Sequence, residues 1–355
     1  MLSRQKDIRV IDLFSGIGGL TYGLKSAGLN VIAGIDNDKS CKYGYETSNG
    51  VRFILKDINN VSASEIGSLY DDAGVKVLAG CAPCQPYSRL NQKGASDQKM
   101  APLKKFALLI KQIRPEIVSM ENVSGLTNTE KYPVFADFIA VLEKLGYWYD
   151  YKVINTADYG VPQSRKRLVL LASRLGPISI PEPTHEKHLT LRDVIADLPI
   201  IDDGIVNESD PLHYARKLSD LNKKRIQATP KDGGTQKSWS NDLLLDCHKK
   251  DTGKSFAISV YGRMWWDKPA STMTTQCIGL GNGRFGHPEQ DRAISLREAA
   301  RIQTFPDNYT FFDAGSEMSV GAVAKFIGNA VPVRLGEVLG NTIREHVNYM
   351  HATTA

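Results

Sequence analysis

The chain has 355 residues, of which 42% are hydrophobic and 23% charged, with a formal net charge of +5. This length and composition are typical of a globular protein with one large and one smaller domain. No apolar run reaches the roughly 18 residues that predict a membrane span. Because the N-terminus also lacks a secretory signal pattern, we expect a cytoplasmic protein with no membrane partner.

The cysteines show no evenly spaced framework, which is typical of reduced thiols in a cytosol. They stand at positions Cys41, Cys81, Cys84, Cys247 and Cys277. Cys81 and Cys84 form a CxxC, but a zinc ribbon needs a second such pair. A redox CxxC usually opens a helix, which Pro86 disfavours. The histidines show no ligand spacing, and we therefore expect no metal.

In chain order, the first 175 residues or so alternate apolar strand-like runs with helical patterns, which predicts a mostly parallel α/β sheet. Predicted strands cover 8–14, 30–35, 75–80, 116–120, 149–155 and 168–173. Predicted helices cover 19–27, 103–113 and 134–145, and helices return at 295–303 and 333–347. Between them, the stretch 176–286 is rich in Gly, Lys, Asp and Ser, which favours a separate, irregular domain.

A glycine-rich turn, DLFSGIGGL at 12–20, connects the first predicted strand to the first helix. The turn contains the glycines Gly16, Gly18 and Gly19. These glycines permit a sharp turn and the close approach of a ligand. Asp36 ends the second strand, where a carboxylate can accept hydrogen bonds from ribose, and Asp57 follows the next apolar run. The pattern fits any nucleoside cofactor, including NAD, although the dinucleotide fingerprint is imperfect. A turn without a ligand is the remaining alternative.

A candidate nucleophile, Cys84, follows the predicted strand 75–80 in a loop that Pro83 and Pro86 stiffen. Open α/β sheets place ligands at such strand ends, but a buried inert cysteine fits this pattern equally well. Glu121 follows the strand 116–120, and we expect it to be partly buried and able to donate a proton.

Two arginines lead into the last predicted strand of the sheet. Arg165 and Arg167 can hydrogen-bond a base carbonyl, a phosphate or Glu121 itself. A thiolate, a carboxylic acid and an arginine at adjacent strand ends would together suit the activation of an electron-poor heterocycle.

Basic residues are concentrated in the segment 216–254, which holds ten Lys or Arg and five Asp. The segment is either a solvated surface or a patch that faces phosphates. Arg263 and three tryptophans, Trp239, Trp265 and Trp266, either reach base edges or pack the small domain; packing is favoured for the tryptophans. Glu298 and Arg301 lie one helical turn apart, which predicts a structural salt bridge.

Six segments in this order resemble the DNA (cytosine-5) methyltransferase family of bacterial or phage modification enzymes: 12–19, 83–86, 121–123, 163–167, 297–306 and 327–332. The resemblance implies a mixed α/β sheet of the Rossmann-like, S-adenosylmethionine-dependent methyltransferase class, with a smaller target-recognition domain. The catalytic domain would comprise 1–180 and 327–355. The recognition domain would comprise 181–290, and 291–326 would be a hinge and connecting segment.

The resemblance also implies roles for individual residues. In S-adenosylmethionine binding, Phe14, Gly16, Gly18, Gly19 and Asp36 would hold the methionine and ribose parts. Asp57 would contact the adenine amino group, Ile58 would pack on the ring, and Pro83 and Asn329 would complete the pocket. Cys84 would attack carbon 6 of cytosine, and Glu121 would bond to nitrogen 3 and the exocyclic amine. Arg165 would bond to the ring carbonyl, with Arg167 in the same catalytic group. Cys81 is left as a packing residue.

The implied substrate is double-stranded DNA from which the target cytosine is flipped. A monomer is expected, functionally paired with a restriction endonuclease. A transfer-RNA cytosine-5 methyltransferase is the nearest alternative, but its usual Cys-Phe-Thr signature does not occur in the sequence. A catalytically idle DNA-binding homologue and an NAD-dependent enzyme are more distant alternatives.

Overall fold

The computed structural model describes residues 7–71, 74–83, 97–246 and 260–354. These residues form two compact units. Unit 1 comprises 1–155, 166–184 and 330–355, and unit 2 comprises 156–165 and 185–329. The segment 291–326, which the resemblance predicts to be a hinge, is part of unit 2.

Unit 1 is built on a seven-stranded sheet in the order β3-β2-β1-β4-β5-β7-β6. The strands are β1 (Ile8–Leu13), β2 (Asn30–Asp36), β3 (Arg52–Leu55), β4 (Val75–Gly80), β5 (Ile117–Val123), β6 (Trp148–Asn155) and β7 (Lys166–Ser173). The first five pair in parallel, whereas β7 runs antiparallel to both β5 and β6. The mixed α/β sheet is thus confirmed, and so are the six predicted strands.

The helices of unit 1 are α1 (Gly19–Ser26), α2 (Lys42–Asn49), α3 (Ala63–Tyr70), α4 (Asp97–Ile113), α5 (Pro133–Lys144) and α10 (Val333–Thr354). One face of the sheet packs on α3, α4 and α5 through a core that includes Ile66, Phe106 and Phe138. The C-terminal helix α10 packs on α1. Helical periodicity did not predict α2 or α3, which have eight residues each.

Unit 2 has short elements separated by irregular chain. They are α6 (Leu191–Ile195), β8 (Val206–Asn207), β9 (Asp210–Tyr214), α7 (Asp220–Gln227), α8 (Leu296–Ile302) and α9 (Val320–Asn329). Strands β8 and β9 form a two-stranded antiparallel sheet. In the described parts of the chain, no helix is long and apolar enough to cross a bilayer.

The strand order of unit 1 determines where a ligand can bind. From β1 the chain moves outward through β2 to β3, and then returns to β4 on the other side of β1. The carboxyl ends of β1 and β4 therefore flank a topological switch point, which is where open α/β sheets form their binding crevice. The glycine-rich turn leaves β1 there, and the loop that leads to Cys84 leaves β4.

Candidate active site

The turn after β1 has the backbone geometry of a ligand-binding loop. Phe14, Gly16 and Gly18 all have positive φ, at 58°, 50° and 96°. Phe14 is the unusual member, since a bulky side chain rarely adopts the left-handed region. A Cβ built on Gly16 meets no atom within 4 Å, so the loop has open space beside it. Gly18 caps α1, whose first residue is Gly19.

Asp36 links this turn to the end of β2. Its Oδ2 accepts a hydrogen bond from Gly16 N at 2.9 Å, and its Oδ1 accepts one from Asp38 N at 2.9 Å. Two backbone amides therefore orient the carboxylate, and each oxygen keeps a second lone pair for another donor. The structure brings Asp36 and the glycine turn together, as ribose binding would require.

Asp57 and Ile58 follow β3. Asp57 caps a short 3₁₀ helix and accepts a hydrogen bond from Asn59 N at 2.8 Å. Ile58 is only 6% exposed and belongs to the main core of unit 1. Lys56 N donates to Asp36 O, which ties this segment to the end of β2.

Beneath the turn lies a buried carboxyl group that motif reading did not single out. Asp12, on β1, accepts a hydrogen bond from Thr21 Oγ1 at 2.7 Å. Burial raises the pKa of Asp12 to about 7, despite the opposing hydrogen bond from Thr21. Its second oxygen, Oδ1, is buried and accepts no hydrogen bond from the described residues. The sequence signal that could have identified Asp12 is a carboxylate within an otherwise apolar strand.

The catalytic loop begins where β4 ends. A Cβ at Gly80 would lie 2.9 Å from Leu13 O, so only glycine allows the ends of β1 and β4 to approach this closely. Asn122 Nδ2 donates to Ala82 O at 3.1 Å and anchors the start of the loop to β5. Pro83 is the last described residue of this loop. The predicted nucleophile Cys84 lies outside the described residues.

Glu121 lies within β5, which extends three residues beyond the predicted strand, and it is 4% exposed. Arg167 Nε, on the adjacent strand β7, lies 2.9 Å from Glu121 Oε1. From β4's side, Cys81 Sγ donates to Glu121 Oε2 at 2.8 Å. Cys81 is therefore a hydrogen-bond partner of the predicted acid, and the interpretation of Cys81 as a mere packing residue is wrong.

Arg165 belongs to unit 2 and binds main-chain oxygens there. It is 5% exposed and donates from Nη1 to Met273 O at 2.7 Å and from Nη2 to Gly328 O at 3.5 Å. The other predicted catalytic arginine, Arg167, lies against Glu121 within unit 1. Asn329 is an exposed residue at the end of α9.

A buried glutamine pair organises the same part of unit 2. Gln163 Nε2 donates to Gln303 Oε1 at 2.6 Å, and Gln303 Nε2 donates to Ile327 O at 2.6 Å. Gln163 Oε1 in turn accepts from Met273 N at 2.8 Å. These contacts connect segments 163–167, 297–306 and 327–332, which are three of the six segments that resemble the methyltransferase family.

The candidate base-reading residues of unit 2 divide by burial. Arg263 is fully buried, and its guanidinium donates to the backbone oxygens of Ile226, Thr229, His287 and Gln290. Arg263 thus packs the unit, as does Trp239, which is 7% exposed and donates to Thr229 Oγ1 at 2.8 Å. Trp265 lies between Lys268 and Arg284 in cation–π contacts.

Some basic side chains of the segment 216–254 are exposed, whereas others are buried or lie near carboxylates. Within its described part, Arg225 is buried, while Lys223 and Lys231 lie within ion-pair distance of Asp203 and Asp291, respectively. Four further basic side chains are exposed: Arg216, Lys217, Lys224 and Lys237. The remainder of the segment, 247–254, lies outside the described residues.

The predicted salt bridge between Glu298 and Arg301 is wrong. Glu298 instead pairs with Arg292 through two contacts of 2.7 and 2.8 Å, and both side chains are buried. Burial favours the neutral carboxyl, but the charge of Arg292 outweighs it and lowers the pKa of Glu298 to about 2. Arg301 pairs with Asp307 and Asp197. A buried carboxylate needs a charged partner, and the buried guanidinium of Arg292 provides it, so the i, i+3 spacing did not determine the ion pair of Glu298.

Comparison with known proteins identifies the family. The profile described as C-5 cytosine-specific DNA methylase matches residues 8–345. The chain is 50% identical over 344 residues to the Type II methylase M.HgiDII of Herpetosiphon aurantiacus, covering 96% of each chain. It is 30% identical to the Type II methyltransferase M.MthTI of Methanothermobacter thermautotrophicus, covering 95% of this chain and 97% of that one.

A solved structure shares the fold. It is a DNA modification methyltransferase encoded within an Escherichia coli prophage, with a TM-score of 0.74 at 20% identity, covering 96% of this chain and 99% of that one. Membership of a methyltransferase family implies S-adenosylmethionine as methyl donor, and the open glycine turn with its oriented Asp36 fits such a cofactor. Among the described residues, no cluster of His, Cys, Asp and Glu has the geometry of a metal site. The chain belongs to the C-5 cytosine-specific DNA methylase family and is a DNA cytosine-5 methyltransferase.

Proposed function

We propose that this methyltransferase recognises a specific sequence in double-stranded DNA and methylates carbon 5 of one cytosine, with Cys84 as nucleophile and Glu121 as proton donor. The observation that supports these roles best is the buried Glu121 carboxyl, held between Arg167 and Cys81. Cys81 is three residues before Cys84, so the acid lies beside the start of the catalytic loop. A buried carboxyl at a strand end is suited to proton transfer in a site closed to water.

The proposed chemistry divides cytosine activation between two groups. The Cys84 thiolate adds to carbon 6, which breaks the aromaticity of the ring and makes carbon 5 nucleophilic. Glu121 donates a proton to nitrogen 3 and neutralises the charge that develops there. S-adenosylmethionine supplies the electrophilic methyl group. Loss of the proton from carbon 5 to a base then expels the Cys84 thiolate and restores the aromatic ring, and nitrogen 3 returns its proton to Glu121.

A stacked base cannot reach a thiol at the end of a sheet strand. The target cytosine must therefore flip out of the duplex, at a cost of about a few kcal/mol. In this proposal Arg165 bonds to the carbonyl of the flipped base, and Arg167 orients Glu121. The direct contact between Arg167 and Glu121 supports the second role.

The proposed cofactor pocket surrounds the switch point of unit 1. Asp36 would bind the ribose hydroxyls, since its carboxylate is already oriented by Gly16 N and Asp38 N. Phe14 would enclose the methionine portion together with the glycines of the turn, which are Gly16, Gly18 and Gly19. Asp57 and Ile58 would contact adenine, with Pro83 and Asn329 completing the pocket.

Sequence recognition is proposed to reside in unit 2, within the predicted recognition domain 181–290. Its exposed basic residues would neutralise phosphates, while irregular loops would read base edges. The Type II relatives support a role in a restriction-modification system, alongside an endonuclease of the same specificity. The proposed enzyme acts as a monomer on DNA in the cytoplasm of a bacterial or phage-infected cell.

The first test measures transfer of labelled methyl groups from S-adenosylmethionine to duplex DNA. We expect Cys84→Ser to lower turnover at least about 10³-fold, the order expected when a covalent nucleophile is removed. Cys277→Ala, which removes a buried thiol of unit 2, is the matched control and should keep wild-type turnover. Duplex DNA containing 5-fluorocytosine should trap a covalent adduct with the wild type, because fluorine cannot leave as the proton does.

Two outcomes would contradict the proposal. Methylation of transfer RNA with duplex DNA inert would overturn the DNA substrate. Active Cys84→Ser protein, or active wild type without an adduct on 5-fluorocytosine DNA, would remove Cys84 as the nucleophile.

A further inference from the structure

We infer that Cys81 is a positioning residue of the methyl-transfer site, whose thiol fixes the orientation of the Glu121 carboxyl toward the cytosine ring. The inference rests on the proposed role of Glu121 as the acid. Its basis is the hydrogen bond from Cys81 Sγ to Glu121 Oε2 at 2.8 Å.

The sheet itself places these two residues side by side. Strands β4 and β5 are parallel, with Gly80 opposite Met120 as the last pair of the register. Cys81 and Glu121 are the next residues along the chain from each member of that pair. Cys81 N also donates to Leu13 O at 3.4 Å, which continues the pairing of β4 with β1. The position of the thiol is therefore determined by main-chain pairing on both sides.

Glu121 needs a second contact because one contact does not determine the plane of its carboxyl group. The terminal torsion of a glutamate is broad and has no sharp preferred value. Arg167 Nε, on β7 at one side of β5, lies 2.9 Å from Oε1 as an ion pair without hydrogen-bond geometry. Cys81 holds Oε2 from β4, on the other side. The ion pair attracts Oε1, and the hydrogen bond from Cys81 supplies the directional contact that orients the plane of the carboxyl group.

The two partners differ in chemistry, and the difference determines which oxygen carries the catalytic proton. A guanidinium is cationic and has no acceptor, so a proton on Oε1 would lie beside a positive charge that cannot accept it. A thiol is a weak donor and also a weak acceptor, so it tolerates a neighbouring carboxylic acid as well as a carboxylate. The geometry thus assigns the proton to Oε2, beside Cys81. As a weak acceptor, the thiol also competes little with cytosine nitrogen 3 for this proton.

The test compares Cys81→Ala, Cys81→Ser and Glu121→Gln with wild type, using steady-state methylation of duplex DNA and cofactor affinity measured separately. Loss of one hydrogen bond to an ionisable group should lower kcat about tenfold in Cys81→Ala. KM for DNA and Kd for S-adenosylmethionine should stay within about twofold, since the acid acts in the chemical step. Cys81→Ser keeps a donor and should recover kcat to within about threefold of wild type.

Cys277→Ala controls for loss of a buried thiol that does not contact Glu121, and wild-type kcat is expected for it. Wild-type kcat in Cys81→Ala with inactive Glu121→Gln would overturn the inference and leave the proposed acid in place. Wild-type kcat in Glu121→Gln would instead remove Glu121 from its proposed role. Equal losses of kcat in Cys81→Ala and Cys81→Ser would also overturn the inference, because a hydroxyl would then not replace the thiol.

Discussion

At the scale of single residues, burial controls the charge of Asp12 beneath the cofactor turn. Its pKa is raised from 3.8 to about 7, primarily by burial. The folded protein therefore holds this proton more tightly than the unfolded chain does. The resulting stabilisation is fully present below pH 3.8 and is lost as the pH rises toward 7. Above that range the folded protein contains a buried carboxylate with only one oxygen hydrogen-bonded to the described residues.

We expect Asp12→Asn to remove this pH dependence, because an amide keeps the shape of the carboxyl group but does not titrate. The free energy of unfolding of wild type relative to Asp12→Asn should fall by about 1 kcal/mol per pH unit between about pH 5 and pH 7. Urea unfolding of both proteins across this range measures the difference.

Comparison of the two proteins cancels the other titrating groups. His287, for example, is neutral in the folded state because burial lowers its pKa to about 3, and its contribution has the opposite slope. That contribution is common to both proteins. Parallel stability curves for wild type and Asp12→Asn would show that Asp12 does not titrate in this range.

At this scale, residue identity and spacing predicted the chemistry better than they predicted which side chains are in contact. The motifs predict a set of site residues, and one of these, Glu121, is buried as expected. The contact of Arg167 with Glu121 was one of the alternatives that the sequence left open, whereas the contact of Cys81 was not expected, because it depends on how β4 pairs with β5. Spacing also predicted the wrong partner for Glu298, since sequence proximity does not report a buried guanidinium six residues away, at Arg292.

At the scale of elements, glycine allows the close packing of α1 on α10. A Cβ at Gly23 would lie 2.2 Å from Val333 O and 2.6 Å from Glu337 N, both backbone atoms of the C-terminal helix. A Cβ at Gly336 or at Gly340 of α10 would similarly lie within 3.4 Å of atoms of α1. The helices therefore approach along a stripe of small residues, and a backbone cannot give way as a side chain can.

Two glycine substitutions in helices of unit 1 should have opposite effects. Gly23→Ala forces α1 and α10 apart, and it should lower the free energy of unfolding by about 2 kcal/mol or more, as overpacking does. Gly67→Ala in α3 meets no atom within 4 Å, and it should raise the free energy of unfolding by about 0.5–1 kcal/mol through helix propensity. Chemical denaturation of the two variants tests both signs. A neutral or stabilising Gly23→Ala would contradict the packing argument.

Strands and helices differed in how well the sequence predicted them. Six of the seven strands of the sheet were predicted, since buried parallel strands such as β1 and β4 are continuous apolar runs, whereas β3, which has only four residues, was missed. Helix α9 was missed, since Gly321 and Gly328 interrupt its pattern. Gly328 has a tertiary reason: its Cβ would lie 2.1 Å from Thr274 O. A glycine that reads as a helix breaker is thus required by packing within unit 2.

At the scale of the whole molecule, the excess of positive charge should appear in the salt dependence of DNA binding. Lys224 and Lys237 are exposed in unit 2. If they contact phosphates, Lys224→Ala and Lys237→Ala should each reduce the slope of log affinity against log salt by about 0.9. Affinity should fall similarly on cognate and non-cognate duplexes, because phosphate contacts carry no base information.

The matched control is Lys144→Ala, an exposed lysine at the end of α5 in unit 1. Fluorescence anisotropy titrations at several salt concentrations measure the slopes. Unchanged slopes in both unit 2 variants would assign the described part of the basic segment to solvated surface.

The family, the methyl-transfer chemistry and six of the seven strands of the sheet could all be inferred without a structure. Catalysis needs particular residue types in a particular order, and six such segments are legible in the linear sequence. The arrangement of strands within the sheet and the contact of Cys81 with Glu121 emerged only from the folded chain, which also selected Glu121 among the alternative partners of Arg167. Cys81 and Arg167 lie about 40 or more positions from Glu121, and the periodicity and spacing of a sequence report only neighbours a few residues apart.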